Sequence, residues 1–362
     1  MLRLYRFLGR PVLFFYALPW LMLLLVLGTV AQREVGLFVA ERTYFSSFLL
    51  WLGFVPLPGG LAVLCLIALN LAARLAQQKN WGGRKLGSTI THVSALLLLL
   101  GGGISLTQRE EGFQELAPAT ANDTVTDYHQ REFVVTKNGV VAVQLNFDDL
   151  QAGQTIATLP FTLRIDALCR HCAAEQLSQP TPERRDAARI MRLQPAPLLS
   201  QDEDNLAGVT LSVSGLDKAQ DGVYVAFSGL RDAATLTIGE DRYQLIMRRT
   251  LRRLPFTVRL DKFHKLDHPG TRIAKAYRSD VTVTDGGASW TTTIAMNEPL
   301  RYRGYTLYQS SFIEMPEETR SVLTVVQDKG QVFPYLAITA LCLGMLLHLV
   351  SLWRRPGKGA LP

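Results

Sequence analysis

The stretch "THVSALLLLLGGG", residues 91–103, places a histidine, His92, near the start of an otherwise apolar segment. An unpaired charged side chain at membrane depth costs about 3 kcal/mol, and an ionisable residue there is therefore a candidate functional residue. What His92 can do depends on how the chain crosses a membrane, and the remaining sequence predicts that crossing.

Hydrophobic residues make up 48% of the 362 residues, and they are gathered into blocks. About 20 apolar residues are enough to cross a bilayer core of about 30 Å. Four blocks approach that length: 11–31, about 54–73, 88–106 and 332–352. The sequence thus predicts a membrane protein with three N-terminal transmembrane helices within residues 1–107, a soluble domain at 108–331, and a C-terminal helix with a short tail at 332–362.

The positions of basic residues predict the orientation of these helices. Three groups of lysine and arginine flank the blocks: Arg3, Arg6 and Arg10; Arg74, Lys79, Arg84 and Lys85; Arg354, Arg355 and Lys358. Cytoplasmic loops carry an excess of such residues, so both termini are expected inside and the 108–331 domain outside. Much of the net charge of +7 then serves topology and gives no reason to expect a nucleic-acid partner.

The outer domain has the pattern of β-structure. Short alternating runs such as "GVVAVQLNF", "VTLSVSGL" and "GVYVAFSGL" are separated by Gly, Asp and Asn. The segment "LPFTLRID" at 159–166 recurs as "LPFTVRLD" at 254–261. Two copies are too few for a solenoid, so the sequence predicts a pair of β-sandwiches or one large sandwich with two equivalent strands. Only residues 173–192 are expected to be helical or loop-like.

Two histidines fall inside the apolar blocks at similar depth on the cytoplasmic side, His92 and His348. Neutral imidazole is a common axial ligand of haem iron. Small residues at 101–103 and at Gly344 would let a partner helix or a flat cofactor approach closely. The alternative is structural: His92 would bond to a neighbouring helix and His348 would reach the interface beside Trp353.

Three segments resemble one known family. They are "LPFTVRLDKF" at 254–263, "SDVTVTDGG" at 279–287 and "MNEPLRYRGYTLYQSSF" at 296–312, in that order. This order is similar to the last outer stretch of the ResB family, also called CcsB, of System II cytochrome c biogenesis proteins. "LGTVAQ" at 27–32 also resembles the family's L-G-T motif at the end of its first span, with Ala31 where proline is usual.

The resemblance implies a role at the bacterial cytoplasmic (inner) membrane. ResB proteins work with a CcsA-type membrane protein to carry haem across the membrane and present it to apocytochrome c. The family's histidine on the third span is taken as an axial ligand of this transient, non-covalent haem b, and His92 matches it, whereas His348 has no family counterpart. The tryptophan-rich haem-handling motif of CcsA is absent, so the chain is expected to be a non-autonomous subunit of a cytochrome c haem lyase.

The four cysteines divide between the two parts of the chain. Cys65 and Cys342 lie within apolar blocks, where cysteine is usually a small packing residue. Cys169 and Cys172 form "CRHC" in the outer domain. Ala173 excludes a covalent haem attachment motif there. Three possibilities stay open: a disulfide, a thiol pair that exchanges with apocytochrome or a thioredoxin-like reductant, and a metal site with His171.

Residues 297–312 close the last of the three quoted segments, and we call them the ending at 297–312. They combine arginines and tyrosines, which protein interfaces favour. Arg301, Arg303, Tyr305 and Tyr308 are candidates for docking the CcsA-type partner or apocytochrome c, near the outer membrane surface. The alternative is that these tyrosines only pack in the β core. Two other functions remain open for the whole chain: a b-type haem redox protein that uses both intramembrane histidines, and a membrane-anchored β-sandwich binding module.

Overall fold

The computed structural model describes residues 2–179 and 181–353. Pro180 and the C-terminal cations Arg354, Arg355 and Lys358 lie outside the described residues. The chain forms two compact units. One comprises Met1–Glu110 with Gln327–Pro362 and contains the helices, and the other is Glu111–Val326 and contains nearly all the strands. We call them the helical unit and the β unit.

The described residues of the helical unit form six α-helices and one short hairpin. The helices are α1 (Leu2–Leu8), α2 (Pro11–Val35), α3 (Leu37–Ala40), α4 (Gly60–Ala76), α5 (Leu86–Gln108) and α6 (Phe333–Trp353). Among the described residues, α2, α5 and α6 are long and apolar enough to cross a membrane. These three helices identify a membrane protein with a large β domain.

The second apolar block, about 54–73, forms a shorter helix than the sequence predicts. It was expected to begin near residue 54, but α4 begins at Gly60 and has only 17 residues. Residues before it form a hairpin of β1 (Leu49–Leu52) and β2 (Val55–Pro58). Pro56 and Pro58 lack the backbone N–H that a helix needs, and each disfavours helical backbone at the residue before it. The described helices therefore include three of spanning length, not four.

Helices α5 and α6 run antiparallel in close contact. Three glycines mark the contact: Gly101 lies against Phe333, Gly344 against Thr91, and Gly87 against the backbone of His348. The contact is so close that a Cβ atom at any of these glycines would overlap the residue opposite. Such contact of helices through small residues is a common way to pack membrane helices without a hydrophobic driving force. Near the other end, Ser105 Oγ donates to Asp328 Oδ1 at 2.8 Å.

Sixteen strands are seen among the described residues 110–179 and 181–327, which include the β unit. They are β3 (Glu110–Leu116), β4 (Ala121–Lys137), β5 (Val140–Asn146), β6 (Thr155–Ile156), β7 (Thr162–Cys169), β8 (Cys172–Gln176), β9 (Met191–Pro195), β10 (Gly208–Ser214), β11 (Gly222–Phe227), β12 (Ala234–Ile238), β13 (Asp241–Asp267), β14 (Ala274–Asp285), β15 (Ala288–Ala295), β16 (Leu300–Tyr302), β17 (Tyr305–Glu314) and β18 (Thr319–Gln327). The expectation of a helix or loop at 173–192 is wrong at both ends, since β8 and β9 pair there as an antiparallel hairpin.

Two sheets account for most of these strands. One has the order β11-β10-β7-β6. The other has the order β15-β14-β13-β4-β3-β18-β17-β16, with β12 added to β13 and β5 added to β4. The strand pairs whose residue-by-residue register is known run antiparallel. Short connections between neighbouring strands favour this arrangement.

Two separate apolar cores fill the β unit. The first core lies around Leu163, Ile165 and Leu211, and the second core lies around Val258, Leu260 and Ile294; all six side chains are fully buried. Strands β4 and β13 contribute to both cores, and their pairing shifts register between Arg249 and Leu251 and again between Arg253 and Val258. These irregularities fall where the paired strands pass from one core to the other.

Candidate functional site

His92 lies in the second turn of α5, and its imidazole is half-buried. Its Nδ1 is 2.6 Å from the carbonyl oxygen of Ser88, one turn earlier. A carbonyl oxygen only accepts hydrogen bonds, so Nδ1 carries the proton and donates it. The lone pair of the neutral ring is then on Nε2, the nitrogen that is available to a metal ion.

The direction of His92 follows from the rotation of α5. Gly87 faces α6, and His92 is five residues later, which turns it by roughly 140° from that direction. Leu99 is two turns beyond His92 on nearly the same face, and it packs against a cluster from α2 and α4 that includes Leu24 and Ile67. His92 therefore points toward the α2 and α4 side of α5.

His348 lies at the contact between α5 and α6. Its backbone lies opposite Gly87, while its side chain is exposed. His92 is five residues beyond Gly87, so the two histidines differ by about 7.5 Å along the helix axis. The contact of Gly87 with His348 was not expected from the sequence, which singled out the glycines at 101–103.

Cys169 and Cys172 are bonded to each other as a disulfide. It closes the turn between β7 and β8, so the CRHC segment connects the four-stranded sheet to the β8–β9 hairpin. Cys172 is buried and Cys169 is half-buried. His171 accepts a hydrogen bond at Nδ1 from the backbone N–H of Leu206, at 3.1 Å. Among the described residues no group of three or more His, Cys, Asp or Glu side chains could hold a metal ion.

Next to this turn lies a buried ionic cluster that the sequence did not indicate. The carboxylate of Asp202 is 3.0 Å from Nδ1 of His129, 3.3 Å from Arg131 and 3.5 Å from Arg170. Asp202 and Arg131 are only 3% and 4% exposed, so each charge is removed from water. No local pattern could have revealed the pair, because Arg131 and Asp202 are 71 positions apart.

The ionisation of Asp202 reflects this environment. Burial is the largest influence and by itself would raise the pKa of the carboxyl group. The hydrogen bond from His129 and the charges of Arg131 and Arg170 together outweigh burial and lower the pKa of Asp202 to about 2. Burial lowers the pKa of the Arg131 guanidinium, although the charge of Asp202 opposes this change. Asp202 is therefore a buried carboxylate held in its charged form.

The ending at 297–312 forms the hairpin of β16 and β17, with a tight turn at Arg303 and Gly304, both of which have positive φ. Arg303 Nε is 2.7 Å from Asp285, and Asp285 also accepts a 2.7 Å hydrogen bond from the Tyr302 hydroxyl. Tyr305 meets Phe256 edge to face at 5.9 Å and packs on the second core. Arg303 and Tyr305 thus hold the hairpin to the β unit.

Arg301, Arg303 and Tyr308 are the exposed members of the four residues predicted to dock a partner, and Tyr305 is half-buried against the second core. Arg301 pairs with Thr306, and side chains alternate between faces along a strand, so Arg301 and Tyr308 share the face opposite the buried Leu307, which we call the open face. Thr306 lies on the same face but is only 5% exposed.

His264 and Asp280 form a contact between two strands of the β unit. His264 lies within β13, and its Nε2 is 2.7 Å from Asp280 on β14. Hydrogen bonds from Thr293 and then from His264 lower the pKa of Asp280. This pair ties two neighbouring strands of the second core's sheet together.

Comparison with known proteins shows which family one segment of the chain is similar to. The ResB-like family matches residues 223–321, which begin in β11 and end in β18. Protein NrfI of Wolinella succinogenes is 36% identical over 100 residues, and this match covers 27% of the present chain and 11% of NrfI. The matched segment contains the ending at 297–312, which carried the resemblance in the sequence. The resemblance of this chain to the ResB/CcsB family is therefore confirmed, and residues 223–321 are its ResB-like segment.

Proposed function

We propose that this chain is a membrane subunit of the System II cytochrome c assembly machinery, which carries haem across the membrane and helps to present it to apocytochrome c. The ResB-like segment supports the role in cytochrome c biogenesis. Haem is the cargo in this proposal, and it is held without a covalent bond. The chain acts with a CcsA-type membrane protein as part of a haem lyase.

The observation that carries the haem proposal is the hydrogen bond of His92. Because Nδ1–H donates to Ser88 O at 2.6 Å, Nε2 presents its lone pair. Such a bond on the far nitrogen is the usual way in which proteins orient a metal-binding imidazole. Within the described residues no hydrogen-bond partner is seen for Nε2 of His92. We assign His92 as one axial ligand of the haem in transit.

The second axial ligand comes from the partner in this proposal. The backbone of His348 lies opposite Gly87, about 7.5 Å along the helix axis from His92, and its side chain is exposed. His92 itself is only half-buried, so part of its ring is open to another protein. A ligand supplied by a CcsA-type protein fits this arrangement better than a site formed by His92 and His348 alone.

The proposed topology has four spans in the bacterial cytoplasmic membrane, with both termini in the cytoplasm and the β unit outside. Helix α4 serves as the fourth span despite its 17 residues, since it is about 25 Å long and mostly apolar. A short helix can be accommodated by local thinning of the bilayer. The cluster of Arg74, Lys79 and Lys85 between α4 and α5 supports the cytoplasmic position of that loop.

The experiment replaces His92 with Ala in the full chain, purified together with its CcsA-type partner. We expect folded complex with little or no haem, because the neighbouring residues on that turn offer no imidazole. Added imidazole should restore the haem absorption spectrum. His348→Ala is the matched control and should keep its haem. Undiminished haem with an unchanged spectrum in His92→Ala would overturn the assignment.

The open face of the β16–β17 hairpin is proposed to dock the CcsA-type protein or apocytochrome c. Arginine and tyrosine are enriched among the residues that dominate protein interfaces, and Arg301 and Tyr308 are exposed side by side on that face. Arg301→Ser combined with Tyr308→Ala should leave protein level and haem content unchanged but reduce mature cytochrome c in cells. Arg272→Ser, in the exposed loop after β13, is the control. Normal maturation in the double variant would give the hairpin a purely structural role.

A further inference from the structure

We propose that the Cys169–Cys172 disulfide is a thiol–disulfide exchange site, which accepts two electrons from a dithiol protein through attack on the sulfur of Cys169. This inference does not depend on haem binding. It rests on the size of the ring that the disulfide closes, on the unequal burial of its two cysteines, and on the hydrogen bonds that hold the turn.

The ring is too small to give the fold much stability. A disulfide stabilises a protein mainly by restricting the unfolded chain, and this effect grows with the length of the closed loop. Cys169 and Cys172 are three positions apart, which is a very short loop. A disulfide that contributes little to stability can be opened and closed at low cost to the folded protein.

The two cysteines differ in exposure. Cys172 is 3% exposed, because it faces Gly208 and the start of β10, whereas Cys169 is half-buried at the end of β7. Exchange requires a thiolate to approach one sulfur along the axis of the S–S bond, so access decides which sulfur is attacked. The more exposed Cys169 is therefore the cysteine that we assign to attack by an external thiolate, with Cys172 as the leaving group.

The turn keeps its shape when the bond opens, because other contacts hold it. The N–H of Cys172 donates to Leu206 O at 2.8 Å, the N–H of Leu206 donates to His171 Nδ1 at 3.1 Å, and the N–H of Ala196 donates to His171 O at 2.9 Å. After reduction the Cys172 thiol finds an acceptor in place, since its Sγ lies 3.0 Å from Cys169 O. Both reduced cysteines would therefore stay close enough to be reoxidised.

The exchange proceeds in two balanced steps. A thiolate of the partner dithiol attacks Cys169 Sγ, the bond to Cys172 breaks, and Cys172 leaves as a thiolate that takes up a proton. The second partner thiol loses its proton, attacks the partner sulfur of the mixed disulfide, and releases Cys169 as a thiol. Overall two electrons and two protons pass from the partner dithiol to this chain, and the partner becomes a disulfide.

The test uses the full chain in detergent with Cys65→Ala and Cys342→Ala, so that only the CRHC cysteines can react. Cys172→Ser leaves the accessible Cys169, and Cys169→Ser leaves the buried Cys172. We expect the first variant to react with dithionitrobenzoate at least about tenfold faster than the second. The first variant, once it has reacted and carries thionitrobenzoate on Cys169, should be attacked by a thioredoxin-type protein whose second cysteine is Ser; thionitrobenzoate leaves and a mixed disulfide with Cys169 remains. The second variant should not form this product.

The unmodified CRHC pair should also be reduced by a thioredoxin-type dithiol while the protein is folded. Equal reactivity of the two single variants, or reduction only after denaturation, would overturn the proposal. The haem content of the complex with the CcsA-type partner tests the proposed haem function independently of the exchange site. The double variant Cys169→Ser with Cys172→Ser should keep its haem, whereas His92→Ala should lose it.

Discussion

The two copies of the LPFT motif have the same burial pattern and the same polar contacts in two different settings. In each copy the phenylalanine, Phe161 or Phe256, is 3% exposed, and the two alternate apolar residues after it are fully buried. The arginine and aspartate of each copy form a 2.9 Å ion pair, and each aspartate accepts a hydrogen bond from a hydroxyl on the neighbouring strand. The motif is thus one solution for an inward-facing strand with a charged outer face, used twice.

The two settings differ in the course of the strand beyond each copy. β7 ends after eight residues at Cys169 and leads into the disulfide turn beside Asp202, whereas β13 runs for 27 residues through both cores. The ResB-like segment takes in most strands of the second core but only the β11 to β13 side of the first. The second core therefore contains most of the ResB-like segment, while the disulfide and the ionic cluster lie beside the first core, before the matched segment begins.

A cavity in either core tests whether the two are independent. Ile165→Ala in the first core and Leu260→Ala in the second each remove a fully buried side chain. We expect each to lower the free energy of unfolding by about 2–5 kcal/mol. Because β4 and β13 belong to both cores, we also expect each variant to speed hydrogen exchange in both, measured by mass spectrometry on peptides from β10 and from β14.

Val140→Ala provides the control for these cavities. Val140 is 71% exposed on β5, and its truncation should change stability by less than about 0.5 kcal/mol. Faster exchange confined to the mutated core would show that the shared strands do not couple the two cores, and the β unit would then consist of two independently stable parts.

The sequence was sufficient to predict the long apolar helices. The predicted blocks at 11–31, 88–106 and 332–352 agree closely with α2, α5 and α6, because unbroken apolar runs of that length have few alternatives. For the second block the predicted start of the helix was wrong, because prolines there favour extended backbone. The β8–β9 hairpin was missed because "AAEQ" and "MRLQP" show no alternation, and its pairing depends on tertiary context.

The candidate site was predictable in its residue types but not in its geometry. An isolated histidine in an apolar helix is visible in the sequence, whereas the rotation that turns His92 away from α6 depends on how Gly87 packs against His348. The Asp202 cluster joins β4 to a loop more than 70 positions later, and it has no periodic signal. Long-range pairs of this kind are decided by tertiary packing.

The ionic cluster beside the first core gives the last prediction, which concerns acid stability. The pKa of Asp202 is about 2 in the folded protein against an ordinary value of 3.8. A carboxyl group whose pKa is depressed on folding stabilises the protein above its unfolded pKa, and this contribution is lost as the pH falls through the folded pKa. The stabilisation should therefore be present above about pH 4 and disappear toward pH 2, with a loss of about 2 kcal/mol.

Urea unfolding of the full chain between pH 6 and pH 2 measures this loss. Asp202→Asn should be less stable at pH 6, since Arg131 keeps its buried charge without a charged partner, and it should lack the additional loss between pH 4 and pH 2. Asp166→Asn and Asp261→Asn, which break the more exposed ion pairs of the two LPFT copies, are matched controls that should cost less than about 1 kcal/mol each. Both controls should keep the acid loss of the unmodified chain. An unchanged acid loss in Asp202→Asn would mean that another group carries it, and the ionic cluster would then have no part in the acid sensitivity of the β unit.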